Sequence, residues 1–221
     1  MTIPIILVGK GRGIKEFVWN IEDINKEGKK FNLIGVVDDF KKDGVLGDVK
    51  WLIKNKEKLK KEYGEVFLVC TAGTPSVRKK LCNALEKHFP FANLINPSSK
   101  IHPSAKIGNG VIISDGCLIS NDVVIENHVL LNFNVLFGHD VRIGRYTNCS
   151  PGTNVMGNVS IGEGNLIGAG VTIIPDITVG NNNVVGAGAT LYSNFGDNNT
   201  IFGVPARALS KVKVGENTAP K

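Results

Sequence analysis

Residues 101–144 read IHPSAKIGNGVIISDGCLISNDVVIENHVLLNFNVLFGHDVRIG. From Ile101 onward every sixth residue is apolar: Ile101, Ile107, Ile113, Ile119, Ile125, Leu131, Phe137, Ile143, Cys149, Val155, Ile161, Ile167, Ile173, Val179, Val185 and Leu191. With apolar residues at 42% of the chain, such a run arises by chance on the order of once in a million. The next position is often glycine, as at Gly108, Gly138, Gly144, Gly162, Gly168, Gly180 and Gly186. The position four residues on is mostly small or β-branched, as at Ala105, Val111, Val129, Thr147, Val171 and Ala189. A period of six fits neither a helix nor simple alternation. It fits a solenoid of short strands and tight corners, in which three hexads close a turn and each turn stacks on the next. Glycine and asparagine suit corners that need positive φ. The pattern covers about residues 101–196, roughly five such turns.

The first half has a different rhythm. Ile3–Val8 is an apolar run that ends in Gly9-Lys10-Gly11-Arg12-Gly13, and a helical pattern follows to about Gly28. Asn32–Val37 is a second apolar run, ending in Asp38-Asp39-Phe40. Glu65–Thr71 reads as a third strand that ends at Ala72-Gly73-Thr74, before a basic helix over Ser76–His88. This order predicts a small Rossmann-like parallel sheet. A glycine turn lets backbone N–H groups approach phosphates at a helix N-terminus. The spacing is GxGxG rather than GxGxxG, so a tight strand-to-helix turn explains it equally well. The acidic pair could bind ribose hydroxyls or simply close a solvated strand end. The joint between the two parts falls between Pro97 and Pro103. The expected domains are therefore 1–97, an α/β unit; 98–209, the solenoid; and 210–221, a C-terminal tail.

The 221 residues suit one or two domains. No run of 18 apolar residues exists, so no membrane span is expected. The first residues carry no signal-peptide pattern. Cys70, Cys82, Cys117 and Cys149 lack metal spacing and sit singly in apolar runs, as expected of reduced core residues in a cytoplasmic protein. The net charge of +6 divides into +7 for residues 1–100 and −1 for the rest. Lys54, Lys56, Lys58, Lys60 and Lys61 supply much of it without interleaved aromatics. A solvated helix face is favoured there over nucleic-acid binding. A mildly basic domain suits an anionic small molecule such as a nucleotide.

The hexads resemble those of the left-handed β-helix acyltransferases. That coil is shared with ice-binding proteins and carbonic-anhydrase-like enzymes. No regular Thr ladder is present for ice. For zinc, His102 and His128 lie 26 residues apart, off the 18-residue stacking interval, so no metal site is expected. Over residues 3–209 the chain resembles the sugar O-/N-acyltransferase family. This family includes sialic acid O-acetyltransferases and the nucleotide-amino-sugar N-acetyltransferases of the bacillosamine and perosamine type. The segments that carry the likeness are Gly9–Gly13, Val37–Phe40, Ser76–Lys80, Asn132 with Gly138-His139-Asp140, Ala187–Thr190 and Gly203–Arg207.

The resemblance implies that His139 is the general base and that Asp140 raises its basicity. The chemistry agrees, because acetyl transfer needs a neutral amine and a proton acceptor, and a carboxylate stabilises an imidazolium. From the residues alone, a surface histidine at a coil corner is an equal reading. Gly157 follows His139 by one turn. The resemblance implies that its N–H holds the oxyanion, although a corner glycine looks the same in sequence. It further implies acetyl-CoA contacts at Asn148, Gly157, Ala169, Ala187, Pro205 and Arg207. It likewise implies substrate contacts at Gly9, Lys10, Gly11, Arg12, Asp38, Asp39, Gly73 and Asn132. Two positions depart from the family pattern: Arg12 replaces a loop histidine, and Asn148 replaces a second histidine. Cys149 is at an inward position, where a thiol is inert.

The resulting expectation is an acetyl-CoA-dependent N-acetyltransferase acting on a nucleotide-linked amino-sugar, in glycan biosynthesis. The resemblance implies a homotrimer with sites between neighbouring solenoids, and the cysteine usage suits a cytoplasmic location. The alternatives are an O-acetyltransferase of sialic acid or a related glycan, and a non-catalytic binding protein that keeps only the coil.

Overall fold

The structure is a computed structural model that describes residues 2–28, 31–40 and 43–209. The expected tail at 210–221 lies outside the described residues. The first unit runs β1 (Ile3–Val8), α1 (Ile14–Lys26), β2 (Phe31–Val37), α2 (Val49–Lys54), α3 (Lys56–Tyr63), β3 (Phe67–Cys70) and α4 (Pro75–Leu85). Its sheet is parallel, in the order β2-β1-β3. Ile5, Ile6, Leu7 and Val8 of the central strand are all fully buried. This explains why β1 reads as a continuous apolar run rather than an alternating one. The Asp48 carboxylate caps α2 by accepting from Trp51 N at 2.7 Å. Pro75 opens α4, where a missing N–H costs nothing.

From Leu94 the chain winds into a triangular β-solenoid of about six turns. Each side of the triangle is a parallel sheet of two-residue strands, and the first sheet ends in an antiparallel pair of three-residue strands, Thr200–Phe202 and Arg207–Leu209. The register is eighteen residues, as in Leu130↔Asn148 and Leu131↔Cys149, until the last turn, where it shortens to sixteen at Val184↔Thr200. The six-residue apolar series points inward, and Ile113, Leu131, Cys149, Ile167 and Val185 are buried in one column. The first sheet begins with Leu94–Ile95, which pairs with Ile112–Ile113. Lys100–Ile101 already belongs to the second sheet. Pro97–Pro103 is therefore coil rather than a joint, since both prolines occupy corners that need no ladder N–H.

From Gly110 to Gly188 every sixth residue has positive φ, whether glycine, asparagine, aspartate, His128 or Tyr146. The glycines that follow the apolar positions serve a different purpose, namely close approach. A Cβ on Gly138 would come within 2.7 Å of Gly157 N on the next turn.

The two units share a core. Leu94, Ile112 and Leu130, on the outer face of the first sheet, pack with Ile5, Leu7, Ile21 and Ile24. Polar ties reinforce the seam: Asn96 Nδ2 donates to Asn20 Oδ1 at 3.0 Å, and Lys79 pairs with Glu163 at 2.7 Å. The α/β unit therefore lies over the first sheet and its corner with the third. The corner between the second and third sheets remains open.

Candidate functional site

A cleft of about 320 Å³ opens at the carboxyl ends of the three strands of the first unit. In a doubly wound sheet this is where ligands bind. Gly9, Lys10, Gly11, Asp38, Asp39, Phe40, Ala72, Gly73 and Thr74 line it. Gly9 has φ +104°, and a Cβ there would crowd Ala72 N at 3.2 Å. The two carboxylates are partly committed to the backbone. Asp38 accepts from Lys10 N and Phe40 N, and Asp39 accepts from Val49 N at 3.0 Å. They shape the cleft and still present lone pairs to it. The Lys10 ammonium donates to Asp43 O. Phe40 stands 80% exposed at the rim. Arg12 is exposed and lies outside the lining.

The second locus is the open corner of the solenoid. His139 Nδ1 lies 2.8 Å from Asp140 Oδ2, and both side chains are more than half exposed. A carboxylate at Nδ1 selects the tautomer that leaves Nε2 free to accept a proton. Gly157 sits over the ring: a Cβ there would fall 2.5 Å from Nε2 and 2.6 Å from Cε1. Among the described residues, the Gly157 N–H has no acceptor. Equivalent amides at another corner are capped from the next turn, as Glu163 N is by Asn181 Oδ1 at 2.9 Å. Above Gly157 the next turn places Pro175, which carries no side-chain acceptor. The corner thus holds an oriented imidazole and an unpaired backbone donor side by side.

The remaining sequence-predicted residues are dispersed. Ala169 and Ala187 are exposed on the corner between the first and second sheets, a different edge from that of His139. Pro205 and Arg207 lie at the C-terminal end, where Arg207 donates to Ala206 O. Asn132 is half-buried, and its Oδ1 accepts from Phe133 N at 2.9 Å. Asn148 is buried in the first sheet and donates to Gly73 O at 2.6 Å, so it faces the cleft loop and not the His139 corner. The sequence patterns missed Thr74 and Phe40 as lining residues and gave no role to Arg78, which lies in the Ser76–Lys80 segment, is fully buried and holds Ala72 O. All four cysteines are free and buried. Among the described residues, no three His, Cys, Asp or Glu side chains gather to hold a metal ion, and no helix is long and apolar enough to cross a membrane.

Two family models match the chain: the PglD N-terminal domain over residues 5–85, and the bacterial transferase hexapeptide (six repeats) over residues 158–193. Among solved structures, the chain is similar to PerB of Caulobacter crescentus in complex with CoA and GDP-perosamine. The identity is 27% over 94% of this chain and 97% of that one, with a TM-score of 0.82. It is also similar to the acetyltransferase domain of PglB from Neisseria gonorrhoeae in complex with acetyl coenzyme A. Here the identity is 26% over 95% of this chain and 100% of that one, with a TM-score of 0.81. Structures of the Caulobacter enzyme with one histidine replaced by asparagine or alanine match at 26% identity. No curated protein sequence matches. The solenoid is the left-handed β-helix of hexapeptide transferases. The chain thus carries a PglD-type domain ahead of bacterial-transferase hexapeptide turns, and it has the fold of the perosamine and PglB acetyltransferases to which it is similar along nearly their whole length.

Proposed function

We propose that this chain transfers the acetyl group of acetyl-CoA to the amine of a nucleotide-linked amino-sugar, with His139 as general base. The observation that carries the reading is the open corner. An imidazole is fixed through Nδ1 by Asp140, with Nε2 exposed beside the unpaired N–H of Gly157. The sugar amine attacks the thioester carbonyl carbon and passes its proton to Nε2. The Gly157 N–H donates to the oxyanion that forms. The Asp140 carboxylate stabilises the imidazolium. Collapse re-forms the carbonyl and expels the CoA sulfur, which recovers the proton. One tetrahedral intermediate suffices, and the buried Cys149 takes no part.

The cleft supplies the nucleotide end. It is lined by glycine-turn amides and lies in the unit that holds the positive balance. Within one chain, however, the cleft lies over the first sheet, and His139 is at the opposite corner of the triangle. That separation supports the homotrimer expected from the family resemblance, in which a nucleotide-sugar seated in one chain's cleft meets the His139 of another. Ala169 and Ala187, whose N–H groups have no acceptor among the described residues, lie on a third line of the surface and fit the pantetheine amides of CoA.

The test is thiol release from acetyl-CoA with UDP-, dTDP- and GDP-linked 3- and 4-amino-sugars. Turnover with one of them, lowered about a hundredfold or more by His139→Ala, is the expected result. Release with sialic acid but with no amino-sugar would replace the amine by a hydroxyl acceptor.

A further inference from the structure

The first sheet's outer face is a column of paired positions: Leu94, Ile112, Leu130, Asn148, Leu166 and Val184. Asn148 is the one amide in an otherwise aliphatic run, and it is 7% exposed. Among the described residues its Oδ1 is buried without a partner, which is costly. Its Nδ2 donates to Gly73 O at 2.6 Å, across 75 residues of sequence. The solenoid thus reaches into the loop that follows β3. Arg78, fully buried on α4, takes the preceding carbonyl: its Nε donates to Ala72 O at 2.9 Å.

These two bonds fix two successive peptide planes. In a trans peptide the N–H points opposite to the C=O. With Ala72 O turned to Arg78 and Gly73 O turned to Asn148, the N–H groups of Gly73 and Thr74 point the other way. Among the described residues neither has an acceptor, and both residues line the cleft. They stand at the start of α4, whose eleven residues add the positive end of a helix dipole.

Resting on the nucleotide-sugar reading above, we infer that Asn148 is a positioning residue for the diphosphate of the substrate. Through Gly73 O it holds the Gly73 and Thr74 N–H donors toward the cleft, with Arg78 as its partner beneath the loop. This differs from the acetyl-donor contact expected at Asn148 from family resemblance. It also explains the polar interruption in an apolar column: the interruption falls where the α/β loop lies over the coil. The residue links the two units at the point where substrate enters.

The discriminating variant is Asn148→Leu. It continues the Leu130–Leu166 column and removes a buried unpaired oxygen, which offsets the donor lost to Gly73 O, so the melting temperature stays near that of the wild type. Asn148→Asp is the isosteric control that removes the donor. Titration calorimetry with UDP, GDP, dTDP and CoA is run on the wild type and both variants. Amino-sugar turnover gives the KM values. The expected result is that the nucleoside diphosphate bound by the wild type loses about tenfold in affinity in both variants. The sugar-nucleotide KM rises in step, while CoA affinity and kcat stay within twofold. Unchanged nucleotide affinity in Asn148→Leu would overturn the proposal and leave the nucleotide reading standing. A fall in CoA affinity alone would overturn it in favour of a donor contact. No nucleotide binding by the wild type itself would overturn the reading on which the proposal rests, and the proposal with it.

Discussion

Gly157 leaves no room for a side chain over His139, since a Cβ there would fall 2.5 Å from Nε2, well inside contact distance. The backbone of one turn therefore forms the roof over the imidazole of the turn before it. Eighteen residues of chain separate a proton acceptor from an amide donor, and the stacking register brings them together.

Gly157→Ala is expected to fold and to fail as a catalyst. The position has no positive φ, so alanine meets no backbone strain. Its methyl must push the imidazole aside or lift the turn. A displacement near 1 Å costs about a hundredfold in rate. Thiol-release kinetics beside a thermal melt would check this. A variant within threefold of wild-type kcat would remove Gly157 from the site.

Asp140→Asn separates charge from shape. Asp140 has φ 58°, a conformation that asparagine tolerates, so the corner survives. The amide oxygen can still accept from Nδ1, but it cannot stabilise an imidazolium by charge. The rate is expected to fall roughly ten- to a hundredfold, less than the 10²–10⁴ of losing the base in His139→Ala. Equal losses in the two variants would mean that Asp140 orients the ring and that its charge is incidental.

A second histidine, His128, is held neutral by its surroundings. His128 is buried between Phe91 and Tyr146, its ring stacked 5.5 Å from the Tyr146 ring. Burial is the main cause that lowers its pKa to about 4; Arg78 and Arg145 lower it further, against the nearby Glu86 carboxylate. Folded protein thus binds fewer protons than unfolded protein between about pH 6.5 and 4. The stability that neutral His128 contributes is complete above about pH 6.5 and is lost as the pH falls, by about 3 kcal/mol at full extent. Asn also suits the positive φ of residue 128. His128→Asn is therefore expected to shrink the drop in melting temperature from pH 7 to pH 5 by on the order of 5 °C. An identical drop in both proteins would place the acid sensitivity elsewhere.

The solenoid was legible because its signal is repetitive: Ile113, Leu131, Cys149 and Ile167 fill one column, and burial selects for the same property at each step. Ile95 continues that series one step earlier, but the prolines at 97 and 103 read as a joint, since a corner and a linker favour the same residue. The His139–Asp140 pair and its Gly157 neighbour were legible because adjacency and an eighteen-residue stack are both arithmetic. Asn148 was not, because its partner is a backbone carbonyl in another unit, and a carbonyl has no letter in a sequence. Arg78 was hidden for the same reason. Asp38 and Asp39 read as ligands for ribose, yet each already accepts a backbone bond, a duty that strand-end carboxylates perform without any pattern of their own.

The buried ladder inside the coil gives a stability prediction independent of the site. At the position where most hexads carry a small or β-branched residue, three successive turns carry Thr147, Asn165 and Asn183, all 0% exposed. Asn165 Nδ2 donates to Gly162 O and Gly180 O, each at 2.8 Å, and its Oδ1 accepts from Asn183 N at 2.8 Å. Truncation would strand buried groups on two neighbouring turns. Asn165→Ala is therefore expected to cost about 3 kcal/mol, or a fall of roughly 6–12 °C in melting temperature for a chain of this size. Lys79→Ala breaks an ion pair that is about two-fifths exposed and should cost under about 1 kcal/mol. Melting curves of the two variants would rank them, with thiol release at 25 °C unchanged in Asn165→Ala because the ladder lies away from the His139 corner. If the two variants melt together, the asparagine ladder is a passive filler and the coil draws its stability from the aliphatic columns alone.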